Sequence, residues 1–246
     1  MTNYSERKIV LKATDLGRSF VPGQWLLRAV NLELRQGEFA AVLGLSGSGK
    51  TTLFNILAGL DQPDRGSVEV KEAIGYMMQK DLLLPWKRII DNVSLPLTLR
   101  GVSRAKAHAE VLKHLPSFGL AGLERRWPAQ LSGGERQRAA LLRTYLYAGN
   151  IMLLDEPFAG IDAITREKLH EWLREIRGKL GLTILLITHD IEEAITLADT
   201  IYVLSADQPA GLHSPIYPQD RHSPVLRQRI RELLYTPKEV CDQSEG

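Results

Sequence analysis

The run Gly44-Leu45-Ser46-Gly47-Ser48-Gly49-Lys50-Thr51-Thr52 limits this chain's possible folds more than any other stretch. It fits the pattern G-x-x-x-x-G-K-[ST]. Ahead of it lies the run Glu38–Leu43, which reads as a buried strand. Behind it Leu53, Ile56, Leu57 and Leu60 recur at helical spacing through Lys50–Leu60. In such a loop, glycines let backbone N–H groups turn inward around an anion. The helix that follows points its positive end at the same place. Gly44, Leu45, Ser46, Gly47, Ser48 and Gly49 are therefore expected to cradle phosphates. Lys50 would reach the β- and γ-phosphates, Thr51 would ligate Mg²⁺ through its hydroxyl, and Thr52 would meet the α-phosphate. The motif alone does not choose among kinases, GTPases and ATPases.

A second acidic feature lies further on. Ile151-Met152-Leu153-Leu154 is an apolar run that ends in Asp155-Glu156. Asp155 emerges where it could hold Mg²⁺, and Glu156 could orient and deprotonate an attacking water. Taken alone, the same residues describe a strand end with two solvated acids. Thr183–Thr188, rich in β-branched residues, also reads as a buried strand, as parallel sheets require. With a helix over Arg166–Leu180 between them, this half reads as βαβ. Further strands are expected at Ile9–Ala13, Ala29–Leu34, Ser67–Lys71 and Thr200–Leu204. Helices are expected at Ser103–His114, with Ser103 as N-cap, and at Glu135–Tyr147. An amphipathic helix through Leu226, Ile230, Leu233 and Leu234 closes the chain, stopping before Pro237.

Composition excludes some classes. Thirty-one Lys and Arg against 29 Asp and Glu leave a net charge of +2, too balanced to argue for nucleic acid as a partner. The one cysteine, Cys241, excludes an intrachain disulfide and any cysteine metal site. The first dozen residues do not read as a signal peptide. No stretch approaches the ~18 uninterrupted apolar residues of a membrane span, so service to a membrane would run through a partner chain.

The segment Leu131-Ser132-Gly133-Gly134-Glu135-Arg136-Gln137-Arg138 resembles the LSGGQ-type signature of ABC ATPases, and Ile151–Glu156 resembles their Walker B strand. Residue chemistry alone makes Ser132-Gly133-Gly134 a second anion-binding helix start. The resemblance implies that two copies pair head to tail, each ATP lying between one phosphate loop and the partner's Ser132, Gly133 and Gly134. It also implies roles for other positions. Phe20 looks like the aromatic that stacks on adenine, with Trp25 the weaker candidate and core packing the plain alternative. Gln79 is similar to the glutamine that meets Mg²⁺ or the attacking water. His189 looks like the switch histidine at the γ-phosphate. Ala159-Gly160-Ile161-Asp162 stands where a D-loop of commoner pattern S-A-L-D belongs, so Gly160 is a departure. The other five histidines show no ligand spacing and are expected on the surface.

The fold implied is α/β, a P-loop NTPase (RecA-like) core with a mixed sheet plus an inserted α-helical subdomain. The core would take about 1–79 and 150–206, the helical part about 80–149, and a tail 207–246. Lys80-Asp81-Leu82-Leu83-Leu84-Pro85-Trp86 and the D-N-V-x-L-P-L run of 91–97 resemble the nitrate/sulfonate/taurine group of importers. That implies an ATPase on the inner face of the cell membrane, bound to a multi-span permease and working with a substrate-binding protein. The segment around Leu82–Trp86 would touch the permease, or pack the helical part. An exporter subunit, a soluble cytoplasmic ABC ATPase of an assembly system and a P-loop kinase share parts of this pattern. The kinase lacks a reason for the signature and His189.

Overall fold

The computed structural model describes residues 7–206 and 208–236; Cys241 and the expected stop at Pro237 lie outside the described residues. In chain order the elements are β1 (Ile9–Val21), β2 (Gln24–Arg35), β3 (Phe39–Leu43), α1 (Lys50–Leu57), β4 (Arg65–Val70) and β5 (Ile74–Met77). Then come α2 (Ile89–Val93), α3 (Leu95–Leu99), α4 (Arg104–His114), α5 (Gly133–Ala148), β6 (Ile151–Asp155) and α6 (Ala163–Leu180). The last are β7 (Thr183–Thr188), α7 (Ile191–Leu197), β8 (Thr200–Val203) and α8 (Pro224–Tyr235). The chain forms two compact units, one of residues up to Glu72 with those from Thr183 on, the other Ala73–Leu182.

The first unit holds two kinds of sheet. β1 pairs antiparallel with β2 and with β4. The strands run well past the expected 9–13 and 29–34 because bulges absorb their irregular pattern. Asp15 and Ala29 take φ +51° at these bulges, and the Asn31 amide accepts from the Asp15 N–H (3.0 Å) and donates to the Ala29 carbonyl (3.1 Å). The other sheet is parallel, with β3 between β7 and β8. All residues of these three strands are buried, so their apolar runs do not alternate. Leu53, Phe54 and Leu57 of α1 are buried as well, each worth about 2 kcal/mol of transfer energy. α8 buries Ile230 and Leu234, with Ser223 as N-cap and Pro224 in its first turn. The tail is fastened to α7: Arg227 pairs with Glu192 at 2.6 Å, and Arg221 donates to the carbonyls of Ile195, Thr196 and Ala198.

In the second unit β5 pairs parallel with β6, and α5 packs on both. α2 and α3 lie against α5, and Phe118 meets the rings of Tyr145 and Trp172. Ser103 is the N-cap residue of α4, although its side chain makes no capping bond. α5 and α6 start two and three residues earlier than their periodicity predicts, because Ser132 and Asp162 cap them there. One expectation fails. His170 is 8% exposed, packed edge-on against Phe158 at 4.9 Å between ring centres, and so is not a surface histidine.

Candidate functional site

The phosphate loop leaves the carboxyl end of β3 and enters α1 directly. Gly49 caps that helix with φ +93°, and a Cβ there would lie 3.0 Å from Leu27; only glycine fits without strain. At Gly44 a Cβ would lie 2.8 Å from the Ser48 hydroxyl. The Ser48 Oγ is buried with no hydrogen-bond partner, an arrangement that an anionic oxygen brought into the loop would satisfy. Lys50, 7% exposed, turns its Nζ onto the carbonyls of Gly44 (2.9 Å) and Leu45 (2.7 Å). The ammonium is thereby fixed at the loop rather than loose in solvent.

β7 runs beside β3 with Thr188 opposite Leu43, and the Gly44 N–H donates to the Thr188 carbonyl at 3.4 Å. His189 follows at once. It is exposed and not a core histidine. Thr188 Oγ1 accepts from the Asp190 N–H, and the Asp190 carboxylate caps α7 through the N–H groups of Glu192 and Glu193. Phe20, at the end of β1, is 63% exposed, which removes core packing as its explanation. Trp25 is only half exposed, because its ring covers Gly17.

In the second unit Met77 lies opposite Leu154, so the ends of β5 and β6 are neighbours. Asp155 is buried and accepts a hydrogen bond from the Tyr76 hydroxyl at 3.3 Å. Burial first, then the Asp155 charge and hydrogen bond, push the Tyr76 hydroxyl well above its ordinary range, so it stays a donor. Glu156 has φ +44°. A glutamate in the left-handed region is uncommon and is stabilised only by its surroundings. Gln79 Nε2 lies 3.5 Å from Glu156 Oε2. Tyr76 escaped the sequence reading; β5 is four residues long, too short for a period to show.

Ser132 and Glu135 form a reciprocal capping box: Ser132 Oγ accepts from the Glu135 N–H (3.2 Å), and Glu135 Oε2 accepts from the Ser132 N–H (2.7 Å). The Glu135 carboxylate is thus occupied by its own helix start. Gly133 follows in the first turn, and a Cβ at Gly134 would lie 3.2 Å from Thr165 on α6. Downstream on α5, Arg136 pairs with Asp81 (3.2 Å), while Arg143 donates to the carbonyls of Asp81 and Leu82 (2.5 and 2.8 Å). Leu82 itself has φ +47°. Gly160 has φ +74°, a conformation that the alanine of the commoner D-loop pattern would adopt only under strain.

The segment after Gln79 divides its apolar residues. Leu82 and Trp86 are exposed, whereas Leu83 is buried, so neither docking nor packing accounts for all of it. The buried Asn92 amide shapes the loop, accepting from the Leu84 N–H (2.7 Å) and donating to the Lys87 carbonyl (2.9 Å). The loop borders a cavity of about 500 Å³ lined by Trp86, Arg88, Asp91, Leu95, Thr98 and Trp127, among others. Burial would raise the Asp91 carboxyl, but hydrogen bonds from Arg104 (2.8 Å) and His108 (3.0 Å) hold it below the usual range.

Residues 27–159 match the family described as ABC transporter. The chain is 41% identical over 215 residues to a formylaminopyrimidine import ATP-binding protein, ThiZ, of Halalkalibacterium halodurans, covering 87% of this chain and 86% of that one. It is 40% identical over 240 residues to an aliphatic sulfonates import ATP-binding protein, SsuB 2, of Pseudomonas aeruginosa, covering 93% and 85%. Among solved structures, the dimeric bacterial ABC transporter cassette MJ0796 superposes with TM-score 0.72 at 28% identity, over 85% of this chain and 99% of that one. The same cassette is also known in a post-hydrolysis state bound to ADP and Pi.

Proposed function

The chain belongs to the ABC transporter family of ATP-binding subunits, and from that premise we propose that it is the ATP-hydrolysing motor of an importer, acting as two copies beneath a permease. The observation that carries this reading is that one chain owns two separate glycine-bearing helix starts of the kind that can bind an anion. One is the glycine loop into α1, and the other is the Ser132-capped start of α5. A two-fold pair with each chain's loop facing the other's α5 uses both.

In this reading Phe20 stacks on adenine, and the amides of Gly44–Thr52 with Lys50 hold the triphosphate. Ser132, Gly133 and Gly134 of the second copy close the anion cage. Thr51, Gln79 and Asp155 would hold Mg²⁺; a hydroxyl, an amide oxygen and a carboxylate are the hard oxygen donors that ion selects. When bound, Mg²⁺ supplies positive charge to the β- and γ-phosphate oxygens. Glu156 takes the proton of the attacking water, Gln79 steadies the Glu156 carboxylate, and His189 donates to the γ-phosphate. Phosphoryl transfer asks mainly for positioning and electrostatics, and these groups supply both. The Tyr76 hydroxyl, donating to Asp155 Oδ2, orients the carboxylate proposed to hold the metal. Tyr76→Phe is expected to lower turnover roughly ten-fold, the worth of one hydrogen bond to a charged group near the weak end of its range, and to raise the Mg²⁺ concentration needed for half-maximal rate. A magnesium titration that superposes on wild type would remove Tyr76 from this role.

Among the described residues no helix is long and apolar enough to cross a membrane. The proposed place of work is the inner face of the membrane, reached through the permease. The cavity bordered by Trp86, Leu95 and Trp127 would receive a short cytoplasmic helix of that permease. Its rim suits this: Trp86 is 69% exposed, and the Arg88 guanidinium lies over the Trp127 ring at 5.5 Å. The cargo, by likeness to the sulfonate and formylaminopyrimidine importers, is a small polar solute handed over by a substrate-binding protein. Tagged protein recovered from its native membrane is expected to bring a multi-span permease with it. The double variant Trp86→Ala, Leu95→Arg is expected to lose the permease while the isolated chain hydrolyses ATP within two-fold of wild type. Recovery of soluble partners only would sink the importer reading and leave the ATPase standing.

A further inference from the structure

An aromatic side chain as exposed as Phe20 needs something to hold its ring in one orientation. Arg18 does so, its guanidinium carbon lying 4.9 Å from the ring centre. Arg18 is itself fixed at both ends of its fork. Nη2 donates to Asp61 Oδ1 at 3.0 Å and Nη1 donates to Asp64 Oδ1 at 3.1 Å. The second oxygen of Asp64 accepts from the Ser19 N–H at 2.7 Å. The Asp61 N–H donates to the carbonyl of Asn55, which lies in α1. A short series of contacts therefore joins the Phe20 ring to the helix that begins at the phosphate loop.

Arginine suits this place and lysine does not. A planar fork can engage two carboxylates in its plane and still lay its face on a ring. With one ring face under the guanidinium and the residue 63% exposed, the face left for a ligand is the opposite one.

We propose that Arg18, held by Asp61 and Asp64, is a positioning residue that sets Phe20 at a fixed distance from the phosphate loop, so that a nucleobase stacks in register with its own triphosphate. This rests on the reading of Phe20 as the adenine-stacking residue.

The test compares ATP with inorganic tripolyphosphate, which offers the phosphates without the base. Arg18→Met is expected to raise KM for ATP about three- to ten-fold with kcat within two-fold, the mark of lost uniform binding. Inhibition by tripolyphosphate should not change. Arg18→Lys, able to meet only one carboxylate, should give a smaller rise. Combined with Phe20→Ala, Arg18→Met should add nothing further. Asp61→Asn keeps the local shape and is expected to raise KM about two-fold; it serves if Arg18→Met does not fold. The inference is overturned if Phe20→Ala raises KM but neither Arg18→Met nor Asp61→Asn does. It is also overturned if tripolyphosphate binding weakens in step with ATP. An unchanged KM in Phe20→Ala would instead take down the stacking reading, and this inference with it.

Discussion

Glu156→Gln is expected to cut ATP turnover by about 100-fold or more while ATP binding stays near wild type. The amide has the shape of the carboxylate but cannot accept the water's proton. Its oxygen can still receive the Gln79 amide, so the 3.5 Å contact need not be lost. In the proposed cycle hydrolysis reopens the pair, so the variant is expected to persist as an ATP-bound dimer on gel filtration while wild type returns to monomer. Turnover within a few-fold of wild type would refute Glu156 as the proton acceptor. The left-handed backbone at this residue adds a second expectation: the substitution keeps a β-unbranched side chain on the same φ, so thermal stability should move little.

Ser132→Arg is expected to abolish hydrolysis with ATP binding by each separate chain intact. The change removes the hydroxyl that accepts from the Glu135 N–H, a cap worth about 1 kcal/mol. That alone would not stop catalysis. The larger expected effect is steric: in the proposed pairing a long side chain would stand where the second copy's phosphates seat, while the chain's own glycine loop is untouched. Nucleotide binding measured by fluorescence and turnover measured by phosphate release separate the two. Preserved turnover in this variant would exclude a site shared between copies.

Why these residues could be read from sequence, and others not, follows from where their signals lie. The phosphate loop, the Asp155-Glu156 strand end and the Ser132 helix start are local patterns. The first two adjoin apolar runs that remain continuous because β3 and β6 are fully buried, and the third carries its own helix cap in Ser132 and Glu135. The helix of Leu226, Ile230 and Leu234 was legible from a local pattern too, at helical period. What escaped depends on distant pairing. Tyr76 matters because β5 lies beside β6, and nothing within Ile74–Met77 announces that neighbour. Arg18 reads as an ordinary surface cation until Asp61 and Asp64 are brought to it. His170 adjoins the Leu169, Leu173 and Ile176 stripe of α6, and its packing against the edge of Phe158, distant in sequence, is not legible from the helical period. The bulges at Asp15 and Ala29 lengthened β1 and β2 beyond any clean alternation.

Arg136 and Arg143 stand seven residues apart on α5, two turns along one face, and both grip the segment at Asp81–Leu82. A helix and a loop joined at two points pivot together or not at all. Ser132 opens that helix and the Trp86 cavity borders that loop, so in the proposed reading the permease and the second copy act on one mechanical lever. Thermodynamic reciprocity then fixes a relation between two affinities. Whatever factor the permease lends to ATP-driven pairing of the chains, ATP-driven pairing must lend to the grip on the permease.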